Sequence, residues 1–205
     1  LSDELAEFFR AEGFALTVSI DGAPEINDRL RVLPGAEGAY ARVVERLGAT
    51  KVPAAARVTL TRMNVDVVGI VHHLASVGFR RVGVSPVVSG DPRFDLGADD
   101  LARLDGGLRV LADEFVDCVR RGVDHSFTNL HTVLAQIASG DVRRAPCGAA
   151  TGLVAVDGSG GAHACHRFVG VEGFRIGDLG VNGIESEARR RVLAKMDPEG
   201  RTRCR

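Results

Sequence analysis

Hydrophobic positions along the first two thirds of the chain follow two alternating periods. Ser2 can cap a helix over Asp3 to Glu12, with Leu5, Phe8 and Phe9 at helical spacing and Gly13 past its end. Phe14 to Ile20 is nearly continuous in apolar residues and is bounded by Gly13 and Asp21-Gly22, a pattern that predicts a buried strand of a parallel sheet. Pro24 to Gly38 reads as a long polar connection. Glu37 to Leu47 reads as a helix and Ala55 to Leu60 as a second strand. Asn64 then caps a predicted helix over Val65 to Val77, whose apolar face is Val67, Ile70, Val71 and Leu74, and Gly78 ends it. Arg81 to Ser85 is a third predicted strand. After the loop Ser89 to Ala98, Leu101 to Arg121 reads as a helix interrupted near Gly106-Gly107, and Phe127 to Ser139 as a further helix.

Parallel strands need helical crossovers, so three strand-helix units in succession predict a βα barrel or a doubly wound sheet. There are too few units for a closed barrel. The Gly140 to Pro146 stretch reads as a linker, which divides the chain into residues 1–140 and residues 141–205. No internal repeat or low-complexity tract is visible.

The second part has a different texture. Leu153, Ala155 and the turn Asp157-Gly158-Ser159-Gly160-Gly161 predict a strand and a tight reversal, with Ala162 to His166 returning as a second strand. Such a hairpin brings Cys147 and Cys165 toward each other. Paired thiolates suit a soft metal or an iron–sulfur cluster, and a disulfide is the competing use of the same geometry.

Composition narrows the class without naming a function. In 205 residues with a net charge of −1, 45% hydrophobic and 26% charged, neither a nucleic-acid footprint nor an acidic tail is implied. Arg189-Arg190-Arg191, with Glu185 and Glu187, reads as the solvated face of a helix rather than a basic binding patch. No apolar run approaches the roughly 20 residues that span a bilayer. Leu1-Ser2-Asp3-Glu4 lacks the layout of a signal peptide, and four cysteines without one favour a reducing, cytoplasmic setting. With Cys204 isolated near the last residue, the chain is expected to be an internal piece of something larger.

Each candidate residue also has a plain structural explanation. Ser19-Ile20-Asp21-Gly22 closes the first strand, where βα barrels bind ligands, yet Asp21-Gly22 alone would make a turn. Thr59, Thr61, Asn64, Ser85 and Pro86 end the other strands and are equally ordinary strand and cap residues. Cys118 lies in an apolar helical stretch and reads as a buried small hydrophobe. His72 and His73 lie on a helix and face solvent or a neighbouring helix. His163 and His166 flank Cys165, which opens a zinc alternative with two Cys and one or two His.

Longer strings carry a family resemblance. From Cys147 there are twelve residues, Gly160, four residues and Cys165, and this resembles the opening of the SPASM extension, C-x(9-15)-G-x4-C, of radical S-adenosylmethionine peptide maturases. Cys165-His166-Arg167-Phe168-Val169-Gly170 with Phe174-Arg175-Ile176-Gly177-Asp178 is similar to the branch that includes quinohemoprotein amine dehydrogenase maturation proteins. Ser19 to Arg31, S-I-D-G-x-P-E-I-N-D-R-L-R, resembles the fourth-strand segment of the same enzymes.

The resemblance implies an α/β fold, part of a TIM-like radical SAM barrel followed by the start of a SPASM auxiliary iron–sulfur domain. It implies an enzyme that modifies a peptide or protein through a 5'-deoxyadenosyl radical, with S-adenosylmethionine and [4Fe-4S] clusters as cofactors and an electron donor as partner. No nucleic acid and no membrane is implied. Ser19, Asp28 and Arg31 would help hold the cofactor, and Cys147, Cys165 and Cys204 would be cluster ligands. In sulfatase-maturating relatives an acidic base follows the second SPASM cysteine; His166 stands there and is the catalytic candidate. The C-x3-C-x2-C triplet of the catalytic cluster is absent from these residues, so the segment alone is expected to be inactive and, with open sheet edges, prone to aggregate. Two rival readings stand beside this one: a zinc-binding or scaffold module, and a plain βα-barrel enzyme with incidental cysteines.

Overall fold

The computed structural model describes residues 1–140 and 147–196. The chain divides into two compact units, Leu1–Ser139 and Gly140–Arg205.

In the first unit, helix α1 (Asp3–Ala11) begins at Ser2, whose hydroxyl accepts the Leu5 N–H at 3.2 Å. Strands β1 (Leu16–Ser19), β2 (Ala54–Leu60) and β3 (Arg81–Pro86) form a parallel sheet in the order β1-β2-β3. Between them lie α2 (Pro24–Leu30), α3 (Tyr40–Thr50) and α4 (Val67–Ser76), and after β3 come α5 (Ala98–Arg120) and α6 (Thr128–Ser139). Ile20, Val58, Leu60, Val82 and Val84 point from the sheet into a core completed by Ile70, Val71 and Leu74 of α4 and Leu104 and Leu111 of α5. The partly buried Val43, Val44 and Leu47 of α3 pack against the same core. A doubly wound sheet reverses its strand order at a switch point. The described strands run in simple sequence.

The expectation of a strand buried on both faces is corrected. Along β1 and β2, burial alternates, and Thr17, Ser19, Arg57 and Thr59 stand on the face away from the core. The apolar run from Phe14 looked continuous because Phe14 belongs to an aromatic cluster with Phe8 and Phe9 at centroid distances of 5.8 and 5.3 Å, outside the sheet.

Three helix readings also change. The polar connection after β1 contains α2, which starts with Pro24 at its first position and Glu25 in its first turn, the arrangement a helix N-terminus favours. Helix α4 is capped by Asp66, whose carboxylate accepts the Gly69 N–H at 3.0 Å, and Asn64 is freed for another task. Helix α5 runs unbroken through Gly106-Gly107 for 23 residues. Gly107 is there for closeness: a Cβ on it would lie 2.7 Å from Val67 Cγ1 of α4, whereas one on Gly106 would meet nothing within 4 Å. Gly106→Ala should therefore raise stability by up to about 1 kcal/mol through helix propensity. Gly107→Ala carries the same propensity gain but must push the buried Val67 aside, and should lower stability. Thermal unfolding of the two variants, followed by circular dichroism, checks this; the reverse order would contradict the packing account.

Beyond β3 the sheet continues by unusual means. The Val82 N–H donates to Ser126 O at 2.8 Å, and Val82 bridges Phe127 in parallel register. One turn later the Asn129 amide accepts from Val84 N and donates to Val84 O, both at 2.9 Å. The side chain thus does for one residue what a neighbouring strand's peptide group would do.

The second unit is a four-stranded antiparallel sheet, β4 (Ala155–Val156), β5 (Gly161–His163), β6 (Arg175–Asp178) and β7 (Gly183–Ile184), in that order. The returning strand is shorter than expected, because His166–Phe168 forms a 3-10 turn. Helix α7 (Ser186–Met196) lays Val192 against Ala150, Ala162, Ala164 and Ile176. Phe168 and Phe174 stack face to face at 3.9 Å beside that core. Arg189 does more than face solvent: its Nε donates to Ala150 O at 2.6 Å, while Arg190 and Arg191 pair with Glu187. No helix among the described residues is long and apolar enough to cross a membrane.

Candidate functional site

The carboxyl end of β1 is organised by Asp21, which is only 3% exposed. Its Oδ2 lies 2.7 Å from Arg31 Nε and its Oδ1 3.2 Å from Arg31 Nη2, a two-point pairing with the guanidinium edge. Oδ1 also accepts the Thr59 N–H at 2.9 Å. Strand β1 has already bonded its last partner there, since Ile20 N–H donates to Arg57 O, so the Asp21 carboxylate extends the ladder beyond the strand's end. The backbone of Asp21 is held too: its N–H donates to Asn27 Oδ1 at 3.0 Å and its carbonyl accepts from Asn64 Nδ2 at 3.1 Å.

Asn64 is the second organiser. Its Nδ2 also reaches Thr59 O at 3.1 Å, and its Oδ1 accepts from Thr61 N–H at 2.7 Å and Thr61 Oγ1 at 2.8 Å. One buried amide therefore ties the ends of β1 and β2 together, with its donors and acceptor occupied. Sequence reasoning missed Asp21 as a buried ion-pair partner and placed Asn64 at a helix start. The available signal was Asp21 at a strand end with Arg31 ten residues on, across one short helix.

The cofactor candidates fall in three different settings. Arg31 spends one edge of its guanidinium on Asp21, and its side chain keeps 32% exposure. Asp28 faces α3: its Oδ1 accepts from the first helical N–H, that of Tyr40, at 2.8 Å and from Asn27 Nδ2 at 3.0 Å. This places a negative charge at a helix N-terminus, where the dipole favours it. Ser19 stands exposed on the sheet's open face in register with Arg57 of β2, which pairs in turn with Gly83 of β3. Its hydroxyl takes part in no hydrogen bond among the described residues. The structure thus gathers Asp21, Asn27, Asn64 and Arg31, sets Asp28 behind them through Asn27, and leaves Ser19 on the open face.

A cavity of about 390 Å³ opens where the connections after β1 and β2 meet, bounded by Gly22, Met63 and Asn64, by Ile70 and His73 of α4, and by Arg103 of α5. Its volume falls in the range of small-molecule sites. His73 is held from behind by Tyr40, whose hydroxyl is 2.7 Å from His73 Nε2. Burial, followed by the nearby Glu25 and Asp28 carboxylates, raises the Tyr40 pKa, so the phenol keeps its proton beside the imidazole. His72 turns to α5, with Nε2 2.8 Å from Glu114 Oε2.

In the second unit Cys165 is buried and Cys147 exposed, and both are free thiols. The turn after Cys147 docks on the hairpin, where Ala150 N–H donates to Ala164 O at 2.8 Å, one residue before Cys165. The third predicted ligand, Cys204, lies outside the described residues. Among the described residues no group of three or more His, Cys, Asp or Glu could hold a metal ion. A four-iron cluster takes four ligands. Cys147 and Cys165 alone do not make such a site.

His163 is buried with Nε2 2.8 Å from Asp157 Oδ2, while its Nδ1 has no hydrogen-bond partner among the described residues. His166 is exposed at the start of the 3-10 turn. Cys118 is half-buried rather than buried, with Arg121 Nη2 3.6 Å from its sulfur.

Fold and site together define an α/β protein with a one-sided parallel sheet, a polar clamp at its strand ends and a small antiparallel unit carrying two thiols. No protein-family model matches the chain, and no curated protein matches it. Solved structures do. The chain is similar to native anSMEcpe with bound AdoMet and Cp18Cys peptide, at a TM-score of 0.72 and 18% identity, over 92% of this chain and 54% of that one. It is also similar to native anSMEcpe with bound AdoMet, at a TM-score of 0.69 and 17% identity, over 92% of this chain and 53% of the other. At this identity the likeness is one of fold, and the chain spans about half the length of the structures it matches.

Proposed function

We propose that this chain is a segment of a radical S-adenosylmethionine enzyme that modifies a peptide or protein. In this reading residues 1–140 belong to its partial TIM barrel, and residues 141–205 to a SPASM auxiliary domain. The observation that carries the reading is the likeness in fold, across 92% of the chain, to a protein solved with AdoMet and with AdoMet plus a peptide. The Ser19 to Arg31 string and the Cys147, Gly160, Cys165 spacing support it from the sequence.

The residues present suit such a cofactor chemically. S-adenosylmethionine carries ribose hydroxyls, an ammonium and a carboxylate, and the open face offers unspent groups to match: the Ser19 hydroxyl and the Arg57 guanidinium, with Ser85 beside it. When bound and reductively cleaved, the cofactor supplies a 5'-deoxyadenosyl radical that takes hydrogen from the substrate. The chain's own part is positioning. Asp21 with Arg31, and Asn64 with Thr59 and Thr61, lock the strand ends so that Ser19 and its neighbours keep fixed places, and fixed places are what an entropy-limited reaction requires.

The test is made on the full-length protein, purified without oxygen and reconstituted with iron and sulfide. Binding of S-adenosylmethionine by calorimetry and release of 5'-deoxyadenosine under a strong reductant are expected. An iron-replete protein that binds no S-adenosylmethionine sinks the reading, as does a colourless protein that retains zinc.

A further inference from the structure

We propose that His125 is an acid-sensitive latch, whose neutral imidazole holds residues 122–129 and helix α6 against β3. The inference goes beyond the function proposed above and does not depend on it.

The segment between α5 and α6 carries the sheet past β3, through Ser126 O on the Val82 N–H and the bridge between Phe127 and Val82. His125 sets its shape. Its Nδ1 accepts the Phe127 N–H at 3.1 Å, the same two-residue reach by which an Asn or Asp side chain closes a turn. A peptide N–H only donates, so Nδ1 carries no proton and the ring hydrogen sits on Nε2. The imidazole is held in place. Its side chain is 10% exposed, its ring lies edge-on to the buried Phe115 of α5 with 5.8 Å between centroids, and its carbonyl accepts from His131 Nε2 of α6 at 2.8 Å.

Two opposing contacts decide what a further proton does here. Added at Nδ1, it would point at the Phe127 N–H, donor against donor, and leave that amide without its acceptor in a residue only 1% exposed. On the other side of the ring, the Glu114 carboxylate of α5 favours an imidazolium. Its Oε2 is 3.6 Å from His125 Nε2, too long for a hydrogen bond, and the same oxygen lies 2.8 Å from His72 Nε2 of α4. The other nearby charges come as opposite pairs. Asp117 and Arg121 of α5 line the same cavity of about 340 Å³, with the Cys118 thiol, while Asp124 pairs with Arg81 of β3 and lies 3.4 Å from His131 Nε2. The lost hydrogen bond therefore outweighs the gained attraction. The closed latch holds one proton on the His125 ring and the released latch can hold two, so the closed form loses stability as pH falls through the range where imidazoles charge, about pH 8 to 5. His72, charging over the same range, tightens on Glu114 and keeps α4 on α5, which confines the release to the segment beyond α5.

The experiment is hydrogen–deuterium exchange of the full-length protein, read by mass spectrometry at about pH 8 and about pH 5, with labelling times scaled for the pH dependence of exchange itself. An unsatisfied buried donor predicts a roughly 10-fold drop in protection of residues 122–139 at the lower pH, with Ala54–Leu60 of β2 unchanged. His125→Asn keeps an acceptor at the same two-residue reach and has nothing to titrate, so its protection should be equal at both pH values. His72→Gln removes the other imidazole on Glu114 and should leave the wild-type drop in place. In the wild-type protein labelled with 15N-histidine, His125 should gain its second proton over the pH range in which protection falls, and this measurement serves if His125→Asn does not fold. Four results overturn the latch: a wild-type 122–139 segment that keeps its protection, a drop that spreads equally to β2, a drop that persists in His125→Asn or vanishes in His72→Gln, and a His125 that charges without release.

Discussion

Asp21→Ala should destabilise the first unit by about 2 kcal/mol, the cost of leaving buried hydrogen-bond donors without their acceptor. Two donors lose their acceptor at once, Arg31 Nη2 and the Thr59 N–H, and Arg31 Nε loses the carboxylate oxygen 2.7 Å away. The Asp21 side chain is 4% exposed, so the Thr59 N–H is left without water, while the Arg31 side chain, 32% exposed, regains part of its hydration. Chemical denaturation followed by circular dichroism measures the change, and a loss under about 1 kcal/mol would show that Asp21 is only a turn residue. Arg31→Leu with Asp21→Leu closes a double-mutant cycle. A large coupling assigns Arg31 chiefly to this clamp; a small one frees its guanidinium for a ligand.

That clamp illustrates what was legible in the sequence and what was not. Period alone places α1, the core faces of α4 and the three strands, because each is a local pattern with a clear apolar side. The Asp157 to Gly161 reversal was legible for the same reason, as a cluster of turn residues between short apolar runs. Asp21 and Asn64 were harder. Their types suit turns and caps equally well, and only the meeting of β1 with β2 shows that one carboxylate and one amide are buried between strand ends. Helix α2 was hidden by the Pro and Gly residues around it, although Pro24 at its first turn is itself a start signal. Gly106-Gly107 misled in the opposite direction: a glycine pair reads as a break, yet Gly107 is the contact point of two helices that touch through Val67. The extension of the sheet past β3 has no sequence pattern at all, since one bridge at Phe127 and the Asn129 amide stand in for a strand. Candidate ligands were legible only as strings. In the structure Ser19 ends β1, Asp28 lies in α2 and caps α3, Arg31 follows α2, and Cys165 lies between β5 and the 3-10 turn.

Lowering the pH should unfold the hairpin of the second unit, and Asp157→Asn should abolish that acid dependence. Asp157 Oδ1 accepts from Ser159 Oγ at 2.6 Å, from Ser159 N–H at 2.8 Å and from Gly161 N–H at 3.0 Å, while Oδ2 faces buried His163. The Ser159 hydroxyl above all, then His163 and the two backbone donors, hold the Asp157 carboxyl far below its ordinary range. A folded-state pKa below the unfolded one means that the ionised form favours folding. Its stabilisation is complete above the unfolded value of about 4 and drains away as pH falls below that toward the folded value. Amide resonances of Ala162 and Ala164, which report strand β5 and its exit, should move together over that acid range in the wild-type chain. Asparagine can accept some of the same hydrogen bonds but carries no charge to lose, so Asp157→Asn should start less stable at neutral pH and show no such acid transition. The same transition persisting in Asp157→Asn would mean that another carboxylate governs the hairpin, and would remove Asp157 as the residue that locks the turn between Cys147 and Cys165.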